Sequence, residues 1–423
     1  MELCSVLHEI YLKKGRVVLQ RTLSKTIKEI SKTFPALLVT GPRQVGKTTL
    51  LEMLSSEKRK YVSLDNFVDR ELASKEPELF LQKYKPPVII DEVQYAPELF
   101  TYIKIYIDKH KNSNGLFWLT GSQKFELMKG IQETLAGRIA IIDLLGFSYK
   151  EINNLANESK PFLVNNDWIK KNISTIYNKD IIDLYKTIWN GFFPRLISTK
   201  NKNRDIFYRS YIQTYIERDV KEYYSISNDI TFYNFLKAVA ARTGQLLNYQ
   251  DMARDLGIDS KTVKNWLRIL ERSGIIKLLY PYYNNITKRL IKTPKLYFLD
   301  TGLCAHLTGW NSPEALEAGA MNGAILETYV FTEILKSYWH NGKSPEIYFY
   351  RDDDQKEIDF ILEQDNTLFP IEVKKTTMPQ NITKQFDVLK KLKKNIGIKS
   401  ILCLSTEIKP IEKDVFAIPI WNI

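Results

Sequence analysis

Residues 41–48 read GPRQVGKT: a glycine, four residues, then Gly-Lys-Thr. Glycines at that spacing let the backbone curl until its N–H groups face a phosphate, and the helix that follows adds positive potential at its amino end. The run Gly41, Pro42, Arg43, Gln44, Val45, Gly46, Lys47, Thr48 and Thr49 is therefore the candidate nucleotide-binding loop. Lys47 is expected to reach the β- and γ-phosphate oxygens of ATP, and the Thr48 hydroxyl to bind the accompanying Mg2+. A second metal partner is needed on a neighbouring buried strand, and residues 86–94, PPVIIDEVQ, supply it. Asp91 is placed to hold Mg2+ through water, while Glu92 orients or deprotonates the attacking water. Residues 115–123, GLFWLTGSQ, end in Ser122 and Gln123, either of which is a candidate sensor of the γ-phosphate. Arg138, in ETLAGRIAIIDLLGFS, is a candidate to stabilise charge on the transferred phosphate from its own or a neighbouring subunit, a surface salt bridge being the alternative.

A second set of charged residues lies near the other end. Asp359 is followed, after twelve residues, by Glu372-Val373-Lys374. Alternation along a hairpin sets Asp359 on one strand, with Glu372 and Lys374 on one face of its partner. Two such carboxylates can bind Mg2+ while a lysine positions water beside a phosphodiester. Glu327, on the amphipathic stretch GAILETYVFTEILKSYWHNG, is a candidate further metal ligand. A half-exposed sheet edge bearing ordinary polar residues is the plainer reading of the same pattern.

These side chains need elements to hold them. FPALLVT before the loop is an almost unbroken apolar run, as in a strand buried on both faces of a parallel sheet, and LEMLSSE after it is helical. Residues 231–282 predict three helices and a strand. The second helix spans Tyr249 to Leu256 and stops at Gly257; the third spans Lys261 to Arg272 with Ser260 as N-cap. Val263, Trp266, Leu267 and Leu270 form its core stripe, leaving Lys261, Lys264, Asn265 and Arg268 outward. GIIKLLYPYYNN and KLYFLD read as the two strands of a wing. Tyr211, Ile212, Tyr215, Ile216 and Val220 share a buried helix face, and Arg218 with Asp219 is better read as an ion pair than as a nucleotide contact.

GPRQVGKTTL, VIIDEVQ, LTGSQ and ETLAGRI, in this order and spacing, resemble a group of prokaryotic AAA+-type ATPases in which a P-loop domain is joined to a characteristic C-terminal module. That resemblance covers nearly the whole chain and implies a nucleotide-driven, oligomeric or switch-like ATPase. The helix-turn-helix with its two strands resembles a winged helix, whose third helix enters the major groove of DNA or serves as a docking or lid element. Asp359, Glu372 and Lys374 resemble the PD-(D/E)xK nuclease core. The expected fold class is α/β: a P-loop NTPase (AAA+-type) parallel sheet, followed by a helical and winged-helix domain and an α/β restriction-endonuclease-like domain. ATP, Mg2+ and DNA are the expected ligands and a homo-oligomer the expected assembly; a regulatory scaffold with an inactive nuclease-like domain is the alternative.

The chain of 423 residues is too long for one ordinary core. Its expected divisions are an N-terminal helical segment (1–32), the P-loop domain (33–150), a helical linker or lid (151–230), the winged helix-turn-helix (231–310) and the nuclease-like domain (311–423). A net charge of +12 favours a polyanionic partner, although Lys-rich composition alone produces the same value. Cys4, Cys304 and Cys403, with only four histidines, provide neither a disulfide framework nor a zinc site. No apolar run spans a bilayer and no export signal opens the chain, so a cytoplasmic location is expected.

Overall fold

The computed structural model describes residues 19–122, 130–131, 133–177, 179–198, 203–216, 229–285, 289, 292–379 and 383–423. Helix α1 (Leu23–Thr33) leads into strand β1 (Ala36–Thr40), whose five residues are all buried. Helix α2 (Lys47–Leu54) follows, then β2 (Lys60–Ser63), β3 (Val88–Asp91), helix α3 (Leu99–Lys109), β4 (Phe117–Gly121) and β5 (Ile139–Asp143). The strands form a parallel sheet in the order β2-β3-β4-β1-β5. Leu37, Val39, Ile89 and Trp118 enter one apolar cluster, whereas Ala36, Leu38, Val88, Ile90, Phe117 and Leu119 enter another. Successive residues of one strand thus feed opposite layers, which explains the unbroken apolar runs in the sequence. All five carboxyl ends lie on one edge, where the phosphate loop and Asp91 meet.

Helix α4 (Asp229–Ala240), β6 (Gln245–Leu246), helix α5 (Tyr249–Leu256) and helix α6 (Ser260–Arg272) follow a set of short helices. β7 (Ile276–Leu279) and β8 (Lys295–Phe298) complete a three-stranded antiparallel sheet ordered β6-β8-β7. Asn248 caps α5 through the Gln250 and Asp251 N–H groups, and Gly257 ends it at φ 64°. The N-cap of α6 is Asp259, which accepts from Lys261 and Thr262 N–H, so Ser260 is the first helical residue rather than the cap. Asp259 keeps the extended backbone of a cap, at φ −79° and ψ 154°, while Ser260 is already helical. Val263, Trp266, Leu267 and Leu270 are buried, as their spacing requires. Tyr211 and Ile212 are also buried; Val220 and the side chains of Tyr215 and Ile216 lie outside what is described.

Helix α7 (Asn322–Trp339) leads into β9 (Ile347–Arg351), β10 (Glu357–Gln364) and β11 (Thr367–Val373), an antiparallel meander. β12 (Asn395–Ile396) and β13 (Lys399–Cys403) add parallel to β11, and β14 (Lys409–Glu412) and β15 (Val415–Pro419) extend the sheet beyond β13. One apolar cluster runs unbroken from Leu37 and Trp118 through Val263 and Trp266 to Tyr329 and Phe360. Cys304 and Cys403 are buried packing residues. No helix among the described residues is long and apolar enough to cross a membrane.

Candidate functional site

The phosphate loop turns sharply at Gly41, whose φ of 139° and approach to the Leu144 carbonyl leave no room for a Cβ. Lys47 is buried, with Nζ donating to the Gly41 carbonyl at 3.0 Å and the Pro42 carbonyl at 2.9 Å. Its ammonium is therefore held over the loop. Thr48 Oγ1 donates to Asp91 Oδ1 at 2.7 Å, joining the loop to the acidic strand tip. Because β4 lies between β1 and β3, it brings Thr120 beside Asp91, and the Thr120 hydroxyl donates to the same oxygen. Tyr61 reaches Asp91 Oδ2 at 3.2 Å; burial, then the Asp91 charge, push the phenol's pKa up.

Glu92 stands in the left-handed region at φ 53°, rotating its side chain away from Asp91. Its Oε2 accepts from Gln94 Nε2 at 2.5 Å and from the Ser122 hydroxyl and N–H at 3.2 and 3.3 Å. Its own N–H donates to Thr120 Oγ1 at 3.2 Å. Thr120 thus connects both acids. Asp65 also faces this edge: its carboxyl pKa is raised by burial first and by Glu92 and Asp91 next, against Arg43 and Arg70. The expected Lys47, Thr48, Asp91, Glu92 and Ser122 are brought together, whereas Tyr61, Asp65, Gln94 and Thr120 were missed by reading the sequence. Thr120 was the findable one, since it sits in the same strand-end LTGS as Ser122. Gln123 lies outside the described residues, as do Arg218 and Asp219.

Arg138 requires a correction. It precedes β5, at the amino end of the strands, where its N–H groups hold Asp108 of α3 in two bonds of 2.8 and 3.2 Å. The phosphate loop leaves the opposite edge, about five residues or roughly 16 Å along the sheet. Arg138 therefore does not serve this chain's own loop, and the salt-bridge alternative describes it.

The second charged centre assembles on α7, β8, β10 and β11. Asp359 Oδ2 accepts from the Val373 N–H at 2.8 Å, and Lys374 Nζ donates to Glu372 Oε2 at 2.7 Å. Glu372 is fully buried, with Oε1 lacking a partner. Glu327 accepts from Lys295 Nζ at 3.0 Å and Tyr297 OH at 2.5 Å, and Lys295 also pairs with Glu357. Burial, then the Asp359 charge, raise the Glu372 carboxyl to about 8 and the Glu327 carboxyl to about 7. Both lean toward holding a proton near neutrality. The expectation of a metal centre at Glu327, Asp359 and Glu372 is not met in this arrangement: no group of three or more acidic, His or Cys side chains among the described residues is set to hold an ion. The three carboxyls are already engaged within the protein, Glu372 by Lys374, Glu327 by Lys295 and Asp359 by the Val373 N–H. Lys295, Tyr297 and Glu357 were not anticipated.

The helix-turn-helix touches the phosphate loop. Gly274, two residues beyond α6, lies so close to Pro42 that an added Cβ would stand 2.8 Å from its Cγ. Pro194 flanks Gly46 on the other side. On the outer side of α6, Lys261, Lys264 and Arg268 are exposed and Asn265 half-buried.

Residues 33–153 match a family model described as an AAA domain. Residues 181–314 and 322–423 match two models, each described as a domain of unknown function (DUF8612 and DUF4143). An uncharacterized protein of Mycobacterium tuberculosis, Rv2008c, is 26% identical over 377 residues, covering 88% of this chain and 78% of the relative. The uncharacterized protein MJ1637 of Methanocaldococcus jannaschii is 24% identical, covering 74% of this chain and 70% of the relative. Among solved structures, the Walker-type ATPase PABY2304 of Pyrococcus abyssi is 18% identical over 69% of this chain and 96% of its own, with a TM-score of 0.40. The RuvB Holliday junction branch migration motor of Thermotoga maritima is 14% identical over 60% and 88%, with a TM-score of 0.30. Residues 33–153, with their five-stranded parallel sheet and phosphate loop, are an AAA-type P-loop ATPase domain.

Proposed function

We infer that the chain binds Mg·ATP on residues 41–49 and hydrolyses it, and that the nucleotide state is passed to a DNA-binding C-terminal half. The observation that carries this reading is the 2.7 Å bond from Thr48 to Asp91, which puts the two magnesium-binding groups side by side between loop and acidic strand. Lys47 exchanges the Gly41 and Pro42 carbonyls for the β- and γ-phosphate oxygens. Thr48 and Asp91 hold the ion, which when bound neutralises charge growing on those oxygens. Glu92, turned aside by its backbone, aligns or deprotonates water, with Ser122 and Gln94 fixing its carboxylate. Loss of the γ-phosphate relaxes the loop against Gly274 and so moves the helix-turn-helix, read here as a winged helix over 231–310 that meets DNA with Lys261, Lys264 and Arg268. A cytoplasmic homo-oligomer, with an arginine of one copy facing the loop of the next, belongs to the same reading. Lys47→Ala should abolish ATP turnover by purified protein while leaving it folded; undiminished turnover would refute the assignment.

The C-terminal segment from 311 is read as nuclease-like in fold but held off from cleavage. That favours a regulatory, interacting role for it, on the observation that lysine ammoniums fill the acidic centre. Plasmid incubated with Mn2+ separates the cases: nicking that disappears in both Glu372→Ala and Lys374→Ala would return this domain to the active nucleases.

A further inference from the structure

Two adjoining hollows open on one side of the helix-turn-helix, bounded by the start of α5, the exposed side of α6, the end of β7 and the residues just before β8. They enclose about 370 and 510 Å3 and share Tyr249, Lys264 and Thr293. Both volumes lie in the roughly 300–1,000 Å3 range of small-ligand sites. The first is lined by Tyr249 and Tyr280, both half-buried, beside Lys264, Arg268 and Lys292. Lys264 Nζ stands 5.2 Å from the Tyr249 ring centroid. Glu271 is the one carboxylate in that lining, and it is already committed to Lys277 at 3.1 Å and the Leu278 N–H at 3.3 Å. Among the described residues no acid pairs with the three cations, so the hollow presents net positive charge and two aromatic faces.

We propose that this hollow receives one unpaired nucleotide of a single-stranded nucleic acid, its base against Tyr280 and Tyr249 and its phosphate on Lys264 and Arg268. Aromatic rings recognise a base only when its face is free of stacked neighbours, which a duplex does not offer; cations then follow the backbone whatever the sequence. The second hollow, continuing from Lys264 past Asn248 and Gln250, provides amide and cationic groups for the next nucleotide, so a strand is the better fit than a free mononucleotide. This inference rests on the reading of the helix-turn-helix as a nucleic-acid-binding element and specifies which form it takes.

The test is fluorescence anisotropy of full-length protein with a labelled oligothymidylate and with a blunt duplex at one fixed salt concentration. The oligothymidylate should bind more tightly. Tyr280→Ala should weaken it about tenfold, Tyr280→Phe should retain it, and Arg268→Gln should lower both the affinity and its salt dependence. Melting curves verify that each variant is folded, and exposed Lys264→Ala gives an independent variant should Tyr280→Ala unfold. Binding of both probes that Tyr280→Ala leaves unchanged, or preference for the duplex, overturns the nucleotide pocket while nucleic-acid binding stands. Binding of neither probe overturns both.

Discussion

At the residue scale, Thr120 has the most leverage for its size. One hydroxyl donates to Asp91 and accepts from the Glu92 N–H, so it fixes the relative orientation of these two acids. Thr120→Val keeps the shape and removes both bonds. Hydrogen bonds to charged groups contribute about 1.5–3 kcal/mol, so ATP turnover should fall by about 10- to 100-fold with the melting temperature little changed. The acidic centre further along carries a pH prediction. A carboxyl whose pKa is raised by folding keeps a proton that the unfolded chain releases. Its stabilisation is complete below about pH 4 and lost as pH climbs through about 7 to 8 for Glu327 and Glu372. Thermal melts at pH 6 and pH 9 should therefore differ, with the lower melting temperature at the higher pH. Glu372→Gln should flatten that dependence. A steeper decline in the variant than in the parent would contradict the assignment.

At the element scale, legibility followed the range of the forces involved. The loop from Gly41 to Thr48, the strand ending at Asp91 and the helix ending at Gly257 are set by local backbone geometry and were readable from residue order alone. The cap of α6 was misplaced by one residue because Asp259 and Ser260 both carry side-chain acceptors, and only the backbone angles decide which precedes the first turn. Arg138 was left open between a phosphate contact and a salt bridge for a different reason. Which end of a strand faces the nucleotide depends on the direction of the whole sheet, information that no short motif contains. Lys295 and Tyr297 were invisible because β8 reaches Glu327 across about 30 residues of chain. Asp300 illustrates how such distant elements are fastened. Its two oxygens accept from the Leu303 N–H (2.8 Å), Tyr208 OH (2.9 Å) and the Phe192 N–H (2.8 Å), tying a helix start to two earlier segments. Asp300→Ala strands the two backbone donors, while Tyr208 keeps the Asn190 carbonyl at 2.9 Å, and should cost about 2–4 kcal/mol in chemical denaturation.

At the scale of the whole molecule, the parts are bound by buried polar contacts as well as by the shared apolar core. Glu333 of α7 accepts from the Tyr149 N–H at 2.8 Å while paired with Lys336, itself 3.5 Å from the Phe192 ring centroid. Glu151 accepts from the Thr22 and Ser148 N–H groups beside Arg21 and His340. Burial alone would raise its pKa, but the Arg21 charge, with the neighbouring His340 ring and the Ser148 N–H bond, holds it far below the usual carboxylate range. Glu333→Ala leaves the Lys336 ammonium buried without its partner and should lower the melting temperature of the entire chain in one transition, rather than loosening one end of it. Two separate transitions would argue against a common core.

The contact of Gly274 with Pro42 makes the phosphate loop and the turn after α6 opposite sides of a single seam. A displacement of Pro42 is therefore met directly by Gly274, and a displacement of the turn after α6 by the loop. Should ligands at the two places couple across it, each would alter the other's grip by the same factor, and a bulkier side chain at position 274 would have to push Pro42 aside.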